Sequence, residues 1–185
     1  MNKIILASGS PRRKEILKEH NIEFEIKVSD VDETCEHMSP EEMVKELSAR
    51  KANAVFHENK DEIVLGADTV VAYKNEILGK PFDDEDAFRM IKMIQGKHHQ
   101  VYTGVTICSC EKTVTFAEKT DVVVKAMTDK EIMEYIATGE GRDKAGSYAI
   151  QGLFGRYILG YEGDYENVVG LPGSRVEEVL KTQFL

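Results

Sequence analysis

The first apolar run, Ile4-Ile5-Leu6-Ala7, is too short for a helix and predicts a buried strand over Lys3 to Ala7. Small residues then break the run, and Ile16 with Leu17 returns at a spacing that fits an amphipathic helix. Phe24, Ile26 and Val28 alternate with charged residues, which predicts a half-exposed second strand. The polar stretch SDVDETCEHM follows as a loop. Ser39 can then cap a helix, Pro40 suits its first position, and Glu42 completes a capping box ahead of Met43, Val44 and Leu47. That helix is expected to run to about Phe56.

Glu62 to Tyr73 is rich in β-formers and predicts a strand, with Lys74-Asn75 turning the chain into a short strand that ends at Gly79-Lys80-Pro81. Asp83 or Asp84 opens a helix with Ala87, Met90, Ile91 and Ile94 on one face, and Gly96 stops it. Long strands follow over Gln100 to Cys108 and Thr113 to Lys125. Thr128 and Glu131 make a second capping box for a helix through Ala137. The remainder reads as a glycine-rich segment, DKAGSYAIQGLFGRYILGYEGDY, and a closing helix from about Gly173 to Thr182. Helices alternate with strands at first, and long strands then come in succession. This order predicts an α/β protein with a mixed sheet and flanking helices, whose small ligand would sit in a cleft beside the sheet.

The 185 residues are 42% hydrophobic, enough to bury one core, as one domain or two closely packed lobes. A formal net charge of -9 argues against a nucleic-acid polymer or an anionic membrane as partner. Any phosphate must therefore be met by a local basic site. Cys35, Cys108 and Cys110 are odd in number, and the last two lie too close along one strand to pair. They read as reduced thiols used in core packing. No apolar stretch approaches the ~20 residues of a spanning helix, and the N-terminus lacks the apolar core of a secretion signal. The expected location is the cytoplasm.

The chemistry begins at LASGSPRR, where a strand turns into a helix. Ser8, the backbone amides and the positive helix end offer donors to an anion, and Arg12 and Arg13 add forked donors that match phosphate. Ser10 merely capping the helix, with both arginines solvated, is the alternative. GADT places Asp68 within an apolar strand, where a carboxylate needs a metal, a cation or several hydrogen bonds. A hydrogen-bonded turn aspartate would explain it as well. Lys80 in GKP could neutralise phosphate. Asp30, Asp32 and Glu33 carry oxygen ligands at a spacing that suits Mg²⁺, or else form a solvated charge run. Arg50 and Lys51 fit a solvated helix face. In DKAGSYAIQG, the Gln151 amide could read the edge of a base, while strand connections alone would account for the glycines. His98 and His99 have no partner at metal or triad spacing, and no Walker, Rossmann or G-x-S-x-G pattern is present.

Taken in order, LASGSPRR, GADT, GKP, DKAGSYAIQG and NVVGLP resemble the Maf family of nucleoside triphosphate pyrophosphatases, over essentially the whole chain. The resemblance implies a single catalytic domain over residues 1–185, similar to the inosine triphosphate pyrophosphatases, with an elongated mixed sheet, flanking helices and a cleft between two lobes. It implies hydrolysis of dTTP and UTP to the monophosphate and pyrophosphate, dependent on Mg²⁺, Mn²⁺ or Co²⁺. By the same resemblance Asp68 is the proton acceptor and a metal ligand, with Glu33 as the second acidic ligand. Arg12, Thr69 and Gln151 are implied to set substrate choice. Ser8 would hold phosphate oxygens, and Arg13, Lys51 and Lys80 would neutralise phosphate charge. Gly141-Arg142 departs from the proline and aromatic usual before DKAG. A homodimer is in keeping with many relatives. The alternatives are a pyrophosphatase for modified purine triphosphates, and a nucleotide-binding regulator of septum formation, a role with which the Maf name is associated.

Overall fold

The computed structural model describes residues 3–28 and 30–185, so Met1, Asn2 and Ser29, the first residue of the acidic stretch, lie outside the described residues. Among the described residues, seven strands form one mixed sheet in the order β2-β1-β3-β5-β6-β7, with β4 paired to β3. The strands are β1 (Ile4–Leu6), β2 (Phe24–Ile26), β3 (Ile63–Tyr73), β4 (Glu76–Leu78), β5 (His98–Cys108), β6 (Thr113–Val124) and β7 (Ile158–Glu162). The helices are α1 (Pro11–Glu19), α2 (Pro40–Phe56), α3 (Asp84–Ile94), α4 (Asp129–Ala137), α5 (Tyr165–Val169) and α6 (Gly173–Gln183). β1 runs parallel to both β2 and β3, whereas β4 returns antiparallel on β3 and β7 antiparallel on β6. The mixed sheet read from the element order is therefore present.

Local sequence rules set most boundaries. Both capping boxes form: the Ser39 side chain accepts from the Glu42 amide at the start of α2, and Thr128 does the same with Glu131 for α4. Asp83 caps α3, and Gly96 ends the chain's helical course at φ 67°. Lys74 and Asn75 both take positive φ in the β3–β4 turn, the conformation that matches hairpin twist. Ser10, by contrast, makes no side-chain cap to α1, which removes the capping explanation of its place. Ile26 is 44% exposed and Val28 65%, so the second strand shields less than its alternation predicts; β2 is an edge strand with a neighbour on one side only. The glycine-rich segment holds structure that its composition hid: two short 3-10 turns (Ala145–Ser147 and Leu153–Tyr157) and β7, with α5 starting at its last residue, Tyr165.

The chain divides into two compact units. The first holds residues through Thr69, 103–118 and 170–185. Within it α2 is pressed onto β3 and β5 at two glycines. A Cβ on Gly66 would lie 2.5 Å from the Ser48 carbonyl oxygen and 2.6 Å from the Ala52 nitrogen, and one on Gly104 would lie 2.1 Å from the Val44 oxygen. Beside this contact the buried hydroxyls of Ser48 and Thr106 meet at 2.9 Å, and Thr106 meets Thr115 at 2.9 Å. Ile5, Ala7, Ala52, Val55, Val64 and Cys108 close a small core nearby. Cys108 is the cysteine that core packing explains, and burial pushes its thiol up to about 11; Cys110 is exposed and Cys35 half-buried, and all three are free thiols.

The second unit holds 70–102 and 119–169 around a larger core. The apolar face of α3 and that of α4 both enter it, with Tyr135, Tyr148, Phe154 and Tyr157. His99 is fully buried in this unit, its Nε2 2.6 Å from the Tyr148 hydroxyl. Burial holds the imidazole down to about 4, with Asp121 opposing and His98 adding to the shift. No described helix is long and apolar enough to cross a membrane.

Two expectations follow. Gly66→Ala drives a methyl into the α2 backbone and is expected to cost about 1–3 kcal/mol, read as a lowered thermal midpoint. His99 takes up a proton in the unfolded chain near its ordinary 6.5 but in the fold only at about 4. Its contribution is therefore constant above pH 6.5 and is lost as pH falls from there to 4, by about 3 kcal/mol in all. Urea midpoints measured from pH 7 to 4 should fall less steeply in His99→Gln than in the native chain.

Candidate active site

Strand alternation decides which way the GADT side chains point. Gly66 faces α2, so Asp68, two residues on, projects to the same face, where Lys51 extends from the turn of α2 that Gly66 lets in. Lys51 Nζ lies 2.6 Å from Asp68 Oδ1 and 2.8 Å from Glu33 Oε1. The Lys51 and Asp68 side chains keep only 17% and 12% of their exposure, while that of Glu33 keeps 61%. One ammonium thus ties a largely buried carboxylate to an exposed one. The solvated-face reading of Lys51 does not hold. Arg50, its neighbour, donates Nη1 to the Asp32 and Thr34 carbonyl oxygens at 2.9 Å each and so pins the acidic loop against α2. Asp32 is itself engaged, accepting from the Thr34 amide at 2.9 Å, and these bonds to Thr34 hold its carboxyl below the usual range. Asp30 is exposed.

The opposite side of β3 is organised by Arg13. Its Nε donates to the Gly170 carbonyl at 2.9 Å, Nη1 to Ser8 Oγ and to the Ala67 carbonyl at 3.0 Å each, and Nη2 to Thr69 Oγ1 at 3.0 Å. Burial draws this guanidinium below its ordinary pKa, Asp68 opposes the shift, Arg12 adds to it and Glu33 opposes it. The four bonds engage four of the five N–H groups an arginine has. Arg13 is therefore turned inward, away from the phosphate role its sequence position suggests. Ser8, buried, also accepts from the Ser10 amide at 3.3 Å. Thr69 reaches Thr103 Oγ1 at 2.9 Å and Gly170 O at 3.3 Å. Arg12, half-buried like Arg13, differs in that its Nε is buried without a hydrogen-bond partner among the described residues.

Lys80 and Gln151 belong to the second unit, and both are exposed. Their motifs meet there, the Gly146 amide donating to the Gly79 carbonyl at 3.1 Å. Gly141 explains itself by contact, since a Cβ there would lie 2.0 Å from the Ser147 oxygen; Arg142 lies 3.6 Å from Asp84. Ser8, Arg13, Glu33, Lys51, Asp68 and Thr69 are thus brought together in the first unit. Residues without an assigned role in the sequence reading also take part: Arg50, Thr103 and the carbonyl of Gly170. Gly170, at φ 143° in a region that favours glycine, was signalled by its motif NVVGLP, whereas Thr103 carried no local mark.

Among the described residues no group of three His, Cys, Asp or Glu side chains is placed to hold a metal. Asp68 and Glu33 nevertheless converge on one cationic atom, Lys51 Nζ. Two carboxylates with all-oxygen donors fit the mode in which Mg²⁺ takes its other ligands from water and substrate phosphates.

The two arginines should separate in a simple comparison. Arg13→Met leaves four acceptors without their donor and is expected to cost at least ~2 kcal/mol, seen as a lower urea midpoint. Arg12→Met should leave that midpoint close to native.

The model of the family described as Maf-like protein matches residues 3–183. A dTTP/UTP pyrophosphatase of Bacillus cereus (strain B4264) is 51% identical over 182 residues, which cover 98% of this chain and 95% of that protein. A protein of the same name from Bacillus cereus (strain ATCC 10987 / NRS 248) is 52% identical, covering 98% of this chain and 90% of its own. Among solved structures, the Ham1 protein of Staphylococcus aureus aligns at a TM-score of 0.47 and 14% identity, over 66% of this chain and 72% of that one. With nearly every residue inside the family model and half of them shared with its members over the full length, the chain belongs to the Maf family.

Proposed function

We propose that this protein hydrolyses dTTP and UTP at the α-β phosphoanhydride bond, giving the monophosphate and pyrophosphate. The observation that carries the reading is the Asp68–Lys51–Glu33 cluster, a nearly buried carboxylate held against a lysine and a second, exposed carboxylate. The names of the relatives supply the substrates.

In this reading Asp68 accepts the proton of the attacking water, being a carboxylate fixed by Lys51 Nζ at 2.6 Å and screened from bulk solvent. Lys51 reaches both acidic side chains and supplies a positive charge that can balance phosphate oxygens as the bond breaks. Arg12, with a buried Nε that no described residue satisfies, is the guanidinium available to the nucleotide. Arg13 instead fixes Ser8, the Ala67 carbonyl and Thr69 in place. Exposed Lys80 contributes further charge to the phosphates, and the Gln151 amide pairs with the pyrimidine edge. Asp68 and Glu33 would hold the divalent ion, which lowers the pKa of water and draws charge from the leaving group when bound.

The test is a panel of dTTP, UTP, CTP, 7-methyl-GTP and ITP incubated with Mg²⁺ or Mn²⁺, with monophosphate and pyrophosphate measured directly. Release concentrated on dTTP and UTP is expected, and Asp68→Asn should reduce it by ~10²-fold or more while the chain stays folded. Nucleotide binding without release from any member of the panel would overturn the reading.

A further inference from the structure

Gln151 is exposed, yet the chain on either side of it is held firmly. Three residues before it, the buried Tyr148 bonds to His99, and its ring packs 4.8 Å from that of Phe154. After it, the chain runs onto the carboxylate of Glu140. Glu140 Oε1 accepts from the Leu153 amide at 2.8 Å, and Oε2 accepts from the Phe154 amide at 3.3 Å and from the Tyr135 hydroxyl at 2.8 Å. A negative charge thus sits on the first two amides of the 3-10 turn Leu153–Tyr157, where unpaired backbone donors favour it. Gly152 lies directly against it: a Cβ there would be 2.0 Å from Oε1 and 2.5 Å from Cδ. The backbone can reach this carboxylate because residue 152 has no side chain. Gly152 then donates to the Ala149 carbonyl at 3.2 Å and accepts from Gly155 at 3.1 Å, which closes the turn around Gln151.

Glu140 is itself well placed to act as a fixed point. It follows α4, its amide donates to Thr138 Oγ1 at 3.3 Å, and its carbonyl accepts from Lys144 Nζ at 2.8 Å. Tyr135, the third donor to its carboxylate, is buried in the core with its ring 4.9 Å from that of Phe154.

We infer that Glu140 is a positioning residue for base selection: its carboxylate holds the Gln151–Gly152 turn so that the Gln151 amide meets the pyrimidine in one orientation. This rests on the reading of Gln151 given above. An amide that can rotate or shift accepts either arrangement of donor and acceptor, so a loosened turn costs discrimination between bases before anything else.

The experiment measures kcat/KM for UTP and CTP in the native chain, Glu140→Gln, Glu140→Ala and Gln151→Ala, with a thermal midpoint for each. Glu140→Ala is expected to lower the UTP-to-CTP preference ~10-fold or more, toward the Gln151→Ala value. Glu140→Gln, which keeps one acceptor oxygen for an amide, should fall between. Loss of folded protein scales both rates together and leaves their ratio in place, so the ratio separates positioning from mere stability. Native preference in both Glu140 variants, with preference lost in Gln151→Ala, would overturn the inference and leave the reading of Gln151 intact. Native preference in Gln151→Ala, or no preference in the native chain, would overturn that reading and the inference with it.

Discussion

The first unit depends on a half-buried positive charge whose donors are met by the protein itself. A guanidinium out of water is tolerated only if its donors are met, and Arg13 has four of them satisfied by acceptors from separate parts of the sequence: Ser8, Ala67, Thr69 and Gly170. The chain between these acceptors has to fold so that they converge, and once they do, their positions are no longer independent. Asp68 lies between two of them, so the same arginine that orders the turn after β1 also fixes the strand that carries the carboxylate. Arg12, beside it on α1, is left with an Nε that no described residue satisfies. Two adjacent arginines thus divide, one meeting four acceptors and the other keeping a buried donor that no described residue meets.

Close approach supplies the second constraint. Gly66 and Gly104 let the backbone of α2 come nearer to the sheet than any side chain would allow, and the helix brings Lys51 within 2.6 Å of Asp68. The Gly and the Asp of GADT therefore serve one purpose from the same strand face: one admits the helix, and the other meets its lysine. Arg50, one residue earlier, faces the acidic loop and holds it by carbonyl oxygens, which keeps Glu33 within reach of Lys51. The second unit repeats the principle at Gly152, where a glycine lets backbone rest on the Glu140 carboxylate.

Elements written in local chemistry were legible from the residues. The capping boxes at Ser39 and Thr128, the Asp83 cap, the Lys74-Asn75 turn and the apolar face of α3 each rest on interactions within a few positions, which a sequence displays directly. The glycine-rich segment was not legible. Its 3-10 turns and β7 are short and are held from outside the segment, the first turn by Gly79, the second by Glu140 and β7 by β6, and Val101 and Thr120 hold Asn167 of the α5 that follows.

The order of five motifs was enough to indicate the family and, with it, residue types for a candidate site. It could not distribute their roles. Arg12 and Arg13 are identical in type and adjacent, and the turn of α1 brings one onto the Gly170 carbonyl and leaves the Nε of the other without a partner among the described residues. Lys51 and Arg50 likewise read as a charged helix face until α2 settles on its two glycines. The sequence determined which elements form and which chemical groups are present, because those follow from near neighbours. Which group meets which was decided only in the tertiary structure, since a hydrogen bond between residues 13 and 170 depends on every fold of the chain between them.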